Sequence, residues 1–133
     1  MINRDKGQRE GKPPSQRQLK VGETIRHALA EIFARGEIVD DVLNQYSLTL
    51  SEVRMTPDLK LATAYVLPLG GEGAEDVVTH LEKHKRFLRG ELAHRVSLKF
   101  MPELRFKIDT SFESSKRIDE LLASPKVARD LDG

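Results

Sequence analysis

Leu48-Thr49-Leu50-Ser51-Glu52-Val53-Arg54-Met55-Thr56-Pro57-Asp58-Leu59-Lys60-Leu61-Ala62-Thr63-Ala64-Tyr65-Val66-Leu67 is the stretch that decides the fold class. Leu48 and Leu50 alternate with Thr49 and Ser51, the period of two that a half-buried strand requires. Val53 and Met55 fall in the opposite parity. A bulge near Glu52 is therefore expected, to bring both halves onto one face. Thr56-Pro57-Asp58 has turn chemistry, because Pro57 presets φ at the first central position. Alternation resumes from Leu59 to Leu67, with Leu61, Thr63, Tyr65 and Leu67 on one face and Ala62, Ala64 and Val66 on the other. Two strands joined by a short turn form a β-hairpin.

Upstream of the hairpin, Ser15 reads as a helix N-cap, and Gln18 completes a capping box. Val21, Ile25, Ala28, Leu29, Ile32 and Phe33 follow at helical spacing, and Gly36 is a C-terminal stop. Residues 37–45 form an acidic loop in which Asp40-Asp41 are expected to stay solvated and unperturbed. Residues 1–14 lack periodicity and contain Gly7, Gly11, Pro13 and Pro14, the signature of a flexible basic tail.

Downstream, Pro68 ends the second strand and Gly70-Gly71-Glu72-Gly73 forms a loop. Helical spacing returns with Val77, Val78, Leu81, Leu88, Leu92 and Val96, as one long helix or two consecutive ones. Phe87 lies off a continuous apolar stripe, which points to a break between Leu81 and Phe87. Pro102 introduces a third strand, with Leu104, Phe106 and Ile108 inward and Arg105 and Lys107 outward. Ser114 to Ala123 reads as a short C-terminal helix stopped by Ser124-Pro125, and residues 124–133 as a tail. Hairpin strands plus helices that can cover one face indicate an α+β two-layer sandwich over residues 15–123.

The chain has 133 residues, 38% hydrophobic and 32% charged, enough for one core. It has no cysteine, so disulfides and thiolate chemistry are excluded. No secretory signal and no membrane span are visible, which leads to the expectation of a cytoplasmic protein with no membrane partner. Net charge is only +1, but its distribution is uneven. Residues 1–20 carry +4, residues 21–82 carry −7, residues 83–107 carry +6 and residues 108–133 carry −2. Concentrated positive charge attracts phosphate and makes binding salt-dependent, whereas the plainer reading is a solvated surface.

Few residues suggest catalysis. His80 and His84 are four apart on a helix and could face one metal, but Leu81 stands where the zinc-protease pattern needs Glu, and Lys83 would repel a cation. Two partly exposed helix histidines, and no metal site, is the expectation. Gly70-Gly71-Glu72-Gly73 matches the G-x-x-G backbone clamp of KH domains in letters only. That clamp joins two helices, whereas this stretch joins a strand to a helix and contains an acid. There is no phosphate-binding Gly-rich loop and no Ser–His–Asp arrangement, so no catalytic residue and no cofactor are expected. Lys83, Lys85, Arg86 and Arg89 form a cationic cluster within seven residues. On a helix Lys85, Arg86 and Arg89 share one flank, a spacing that follows a phosphate backbone. Arg95 and Lys99 extend the patch, and guanidinium groups suit both phosphate and base stacking.

Three stretches in this order make the sequence resemble a known family, ribosome-binding factor A, over roughly residues 15 to 123. The first is Ser15-Gln16-Arg17 leading into the first helix and its acidic loop. The second is Leu48 to Leu59 followed by Ala62-Thr63-Ala64-Tyr65-Val66. The third is Phe87-Leu88-Arg89 with Leu98-Lys99-Phe100-Met101-Pro102-Glu103-Leu104-Arg105-Phe106, similar to the family's "L-R-x-x-P-E-L-x-F" segment. The resemblance implies a type II KH-like fold, helix–strand–strand–helix–helix–strand. It also implies a bacterial source and a role in cold adaptation. The family kinks between its last two core helices at an Ala-x-Gly, whereas here His84-Lys85-Arg86 holds the equivalent place and makes the junction more basic.

The resulting expectation is a non-enzymatic ribosome assembly factor. It would bind the free small (30S) subunit and 16S rRNA late in maturation, and assist processing of the 16S rRNA 5′ end without cutting. The resemblance associates its release with an assembly GTPase, and a monomer is expected. Lys83, Lys85, Arg86, Arg89 and Arg95 are the first candidates for RNA contact, with Arg17, Lys20 and Arg26 of the first helix behind them. Changing Lys85, Arg86 and Arg89 together to Glu is expected to abolish subunit binding while leaving the fold intact. A protein–protein adaptor using the acidic half is the alternative, and a small nuclease a more distant one.

Overall fold

A computed structural model describes residues 13–111. The first helix, α1, spans Gln16–Ala34. Its capping box forms as expected: Gln18 N–H donates to Ser15 Oγ at 3.1 Å, and Ser15 N–H donates to Gln18 Oε1 at 2.9 Å. Gln18 also donates from Nε2 to the Met55 carbonyl at 3.0 Å, so the cap fixes the helix start to the end of a strand. Gly36 closes the helix at φ +64°, in the left-handed region that glycine adopts without steric cost.

Strands β1 (Leu48–Met55) and β2 (Leu61–Pro68) pair antiparallel. Their register shifts between Leu50 and Glu52, which puts Leu50, Val53 and Met55 on the buried face despite their mixed parity. The turn between the strands is longer than the spacing suggests, because β2 begins at Leu61 rather than Leu59. Asp58 Oδ1 accepts from Thr56 Oγ1 at 2.7 Å and from Lys60 N–H at 3.0 Å. That brace holds Leu59 at φ +61° while its side chain packs on the core rim.

After the Gly70–Gly73 loop, α2 covers Ala74–Lys83 and α3 covers Lys85–Arg95. The two are separate helices, broken at His84, whose φ −103° and ψ 15° leave the helical region. Strand β3, Glu103–Ile108, lies parallel to β2 and completes a three-stranded sheet in the order β1-β2-β3. Parallel pairing requires a crossover, and α2 and α3 supply it.

The helices cover one face of the sheet and bury Ile25, Leu29 and Ile32 of α1, Leu81 of α2, and Leu88 and Leu92 of α3 against Val66 and Leu104. The break at His84 lets Leu81 and Leu88 both reach zero exposure and leaves Phe87 outside at 41%. The architecture is an α+β two-layer sandwich with the helix–strand–strand–helix–helix–strand order. The expected C-terminal helix at residues 114–123, the 124–133 tail and residues 1–12 of the N-terminal tail lie outside the described residues. Among the described residues, no helix is long and apolar enough to cross a membrane.

Candidate nucleic-acid interface

The basic segment after Glu82 wraps one edge of the sheet. Phe106 N–H, on the free edge of β3, donates to Glu82 Oε2 at 2.9 Å. Arg89 donates from Nε to the Pro102 carbonyl at 3.0 Å and from Nη2 to the Met101 carbonyl at 3.1 Å. An edge strand otherwise presents unpaired backbone groups; Glu82 satisfies one of them, and Arg89 holds the two carbonyls that lead into the strand. The α2–α3 junction is thereby seated against β3.

The expected RNA-contacting cations separate into two groups. Lys83 and Arg86 are exposed and form no ion pair among the described residues. Arg17 and Lys20 near the start of α1 are likewise exposed. The others have partners inside the fold. Lys85 pairs with Glu82 one turn back, and Arg26 with Glu23. Arg89 holds the entry to β3, so its replacement together with Lys85 and Arg86 would disturb the fold rather than leave it intact. Arg95 is 22% exposed and bridges Glu31 of α1, Glu37 of the loop and Glu91 of its own helix. Hydrogen bonding to Glu37 raises its pKa above the ordinary arginine value. Its charge is neutralised inside the fold, tying α3 to α1.

The acidic loop departs from expectation. Asp40 is 10% exposed at its side chain and far from solvated. Its Oδ1 accepts from the N–H groups of Val42 (2.9 Å) and Leu43 (3.0 Å), bracing the turn that leads into a short 3-10 helix over Leu43–Gln45. Its Oδ2 accepts from His80 Nδ1 (2.9 Å) and His84 Nε2 (2.8 Å). The Leu43 N–H first, and then His80, hold this carboxyl well below the usual carboxylate range. The i, i+4 histidines thus converge on a carboxylate, with the proton of each contacting nitrogen turned to it. Asp40 could not be singled out from Asp41 by composition. The one legible hint was the i, i+4 spacing of His80 and His84, which lets both rings face one partner.

The sheet face away from the helices carries a second set. Register places Arg54, Thr63 and Arg105 side by side across the three strands, and Glu52, Tyr65 and Lys107 in the next row. Arg54 pairs with Glu52, and its guanidinium carbon lies 5.5 Å from the Tyr65 ring centroid. Arg105 lies over Thr63, with Nη2 3.3 Å from its Oγ1. Lys107 is exposed and forms no ion pair among the described residues. In the loop before β3, Phe100 is 77% exposed with the Lys99 ammonium 5.7 Å from its ring centroid. Away from all of these, a groove of about 680 Å³ runs between the end of α1 and the 38–50 segment, lined by Phe33, Ile38, Tyr46 and Leu48 among others.

Comparison with known proteins matches residues 17–122 to the family model of ribosome-binding factor A. A ribosome-binding factor A from Rhodopseudomonas palustris strain TIE-1 is 61% identical over 122 residues, covering 90% of this chain and 89% of the relative. One from Afipia carboxidovorans is 55% identical over 130 residues, covering 98% and 92%. Among solved structures, the crystal structure of ribosome-binding factor A from Thermus thermophilus superposes with TM-score 0.59 at 27% identity, covering 68% of this chain and 93% of that one. A homology model of the Thermus thermophilus factor, fitted into the cryo-EM map of a 30S–RbfA complex, gives TM-score 0.54 at 27% identity, covering 67% and 91%.

Proposed function

The chain belongs to the ribosome-binding factor A family, and from that membership we propose that it binds the free small ribosomal subunit through 16S rRNA late in maturation. The observation that carries the reading is the pair of cations Lys83 and Arg86, exposed and without an ion pair among the described residues, at a helix junction held against β3. Arg17 and Lys20 add charge at the start of α1. The relative fitted into a 30S complex supports the choice of particle. Cations on a fixed scaffold neutralise rRNA phosphates and release counterions, so affinity falls steeply with salt. No group in the described site is arranged to cut RNA. The protein acts by occupying an immature conformation, and so assists 16S rRNA 5′-end processing without catalysing it. An assembly GTPase then displaces it. It works as a monomer in the cytoplasm.

The test is cosedimentation of purified protein with mature and immature small subunits across a salt series. Binding to small but not large subunits, stronger for immature particles and lost as salt rises, is expected. Binding that persists at high salt without RNA would favour the adaptor reading instead.

A further inference from the structure

We propose that the open face of the sheet, centred on Tyr65, is a second RNA-contact site that takes a single-stranded segment. One base stacks on the Tyr65 ring, and the adjoining phosphates lie on Arg105 and Lys107. The proposal rests on the small-subunit reading above and adds a surface to it.

The described helices all pack on the opposite face, so this one is unpartnered among the described residues. Its two central rows hold three cations and one acid. The acid, Glu52, is already neutralised by Arg54, with both side chains about half exposed. Arg105 and Lys107 form no ion pair among the described residues, and they stand on the strand next to Tyr65. Lateral neighbours in a sheet lie about 5 Å apart, within one nucleotide's reach from base to phosphate. The Arg54 guanidinium sits over the ring at 5.5 Å, looser than a stacked contact. An exposed ion pair contributes little, so Arg54 is free to swing and close over the far side of an inserted base.

The geometry favours single-stranded RNA over other anions. Aromatic rings flanked by cations on a flat sheet accept bases from any unpaired sequence, because every base has a stacking face. A duplex would present its phosphates but keep its bases from Tyr65. An acidic peptide would use the cations and leave the ring idle. The strand that carries Arg105 and Lys107 is also the one that Glu82 and Arg89 clamp. Lys83 and Arg86 neighbour these two clamping residues in the chain, so an RNA bent over the β3 edge could meet them and the Tyr65 face together.

The chain has two tyrosines and no tryptophan, so Tyr65 can report its own occupancy. The full-length Tyr46→Phe protein is titrated with a mixed-sequence single-stranded RNA hexamer, and tyrosine fluorescence is followed. Quenching is expected; Tyr65→Leu and Tyr65→Phe variants are compared by the anisotropy of an end-labelled hexamer, with binding weakened roughly ten-fold or more by Tyr65→Leu and retained with Tyr65→Phe. Lys107→Glu, on an exposed residue that the core does not need, should also weaken binding. Unchanged hexamer binding in both Tyr65→Leu and Lys107→Glu would overturn the proposal. So would equal quenching by an acidic peptide or by duplex RNA. Loss of subunit binding only in a Lys83→Glu/Arg86→Glu variant, with hexamer binding insensitive to Tyr65, would leave the functional reading standing and remove this site. Hexamer quenching without any subunit binding would do the reverse.

Discussion

Asp40 and His84 meet at 2.8 Å although 44 positions separate them in the chain. His84 is the residue at which the α2–α3 helix breaks, so the acidic loop is fastened to the break itself. His80 donates to the same oxygen from one turn earlier. The contact fixes where α3 starts, and with it the direction in which Arg86 projects.

Replacement of Asp40 by Asn should destabilise the protein at neutral pH, because an amide cannot accept at both positions and presents its NH₂ to a donor. The folded-state pKa of Asp40 is depressed, so its contribution is fully present above the unfolded value of about 4 and is lost as pH falls below it. Urea unfolding of both proteins between pH 7 and pH 3 should show a stability gap that narrows in the acid limb. A gap constant down to pH 3 would contradict the bridge.

Lys83→Glu with Arg86→Glu should sharply weaken small-subunit binding and flatten its salt dependence, by up to about one unit of log–log slope for each phosphate no longer neutralised. Circular dichroism and thermal unfolding should match the parent protein, since neither side chain has a partner among the described residues.

Arg95→Gln should behave in the opposite manner. It leaves Glu37 and Glu91 without their cation, while Glu31 keeps Arg35, and should lower the denaturant midpoint at unchanged slope, with subunit affinity of the folded protein preserved. Cosedimentation below the unfolding midpoint separates the two effects.

Arg89→Ala should cost about 1–2 kcal/mol, because it leaves the Met101 and Pro102 carbonyls without their donor. Hydrogen exchange should show β3 opening more readily while α1 is unaffected.

Gly22→Ala tests the close approach of α1 to β1. A methyl there would lie 2.5 Å from the Val53 carbonyl oxygen, which is backbone and cannot turn aside. The helix must lift from β1, at about 1–3 kcal/mol by denaturant unfolding.

The layer arrangement was readable in advance wherever period decided it. The parity change between Leu50 and Val53 pointed to a bulge near Glu52, and one is present; Phe87 off the stripe pointed to a break between Leu81 and Phe87, and His84 supplies it. Ser15 and Gln18 announced the first cap, although not that Gln18 would also reach Met55. The pairing of charges was not readable, because partners in space are remote in sequence: Arg95 finds Glu31 and Glu37, 64 and 58 positions away. Charge density in residues 83–95 therefore did not show which of its cations have partners inside the fold. Asp40 was hidden for the same reason. Alternation put Tyr65 on the face opposite Ala62, Ala64 and Val66 but not which face was outward, and its neighbours Arg54 and Lys107 depended on register across three strands.

The parallel pairing of β2 with β3 has a further consequence for how the chain acquires its shape. The hairpin joins residues such as Ser51 and Tyr65, only 14 apart, whereas Thr63 meets Arg105 across 42. Closing the longer loop carries the larger entropic cost and gains nothing until both crossover helices exist. The third strand thus docks late, and Glu82, Arg89 and the outward Arg105 and Lys107 reach their places with it. A half-folded chain has the hairpin and α1 but no assembled basic edge. The basic edge that the proposed RNA contact uses is thus a product of the last docking step rather than of any one element.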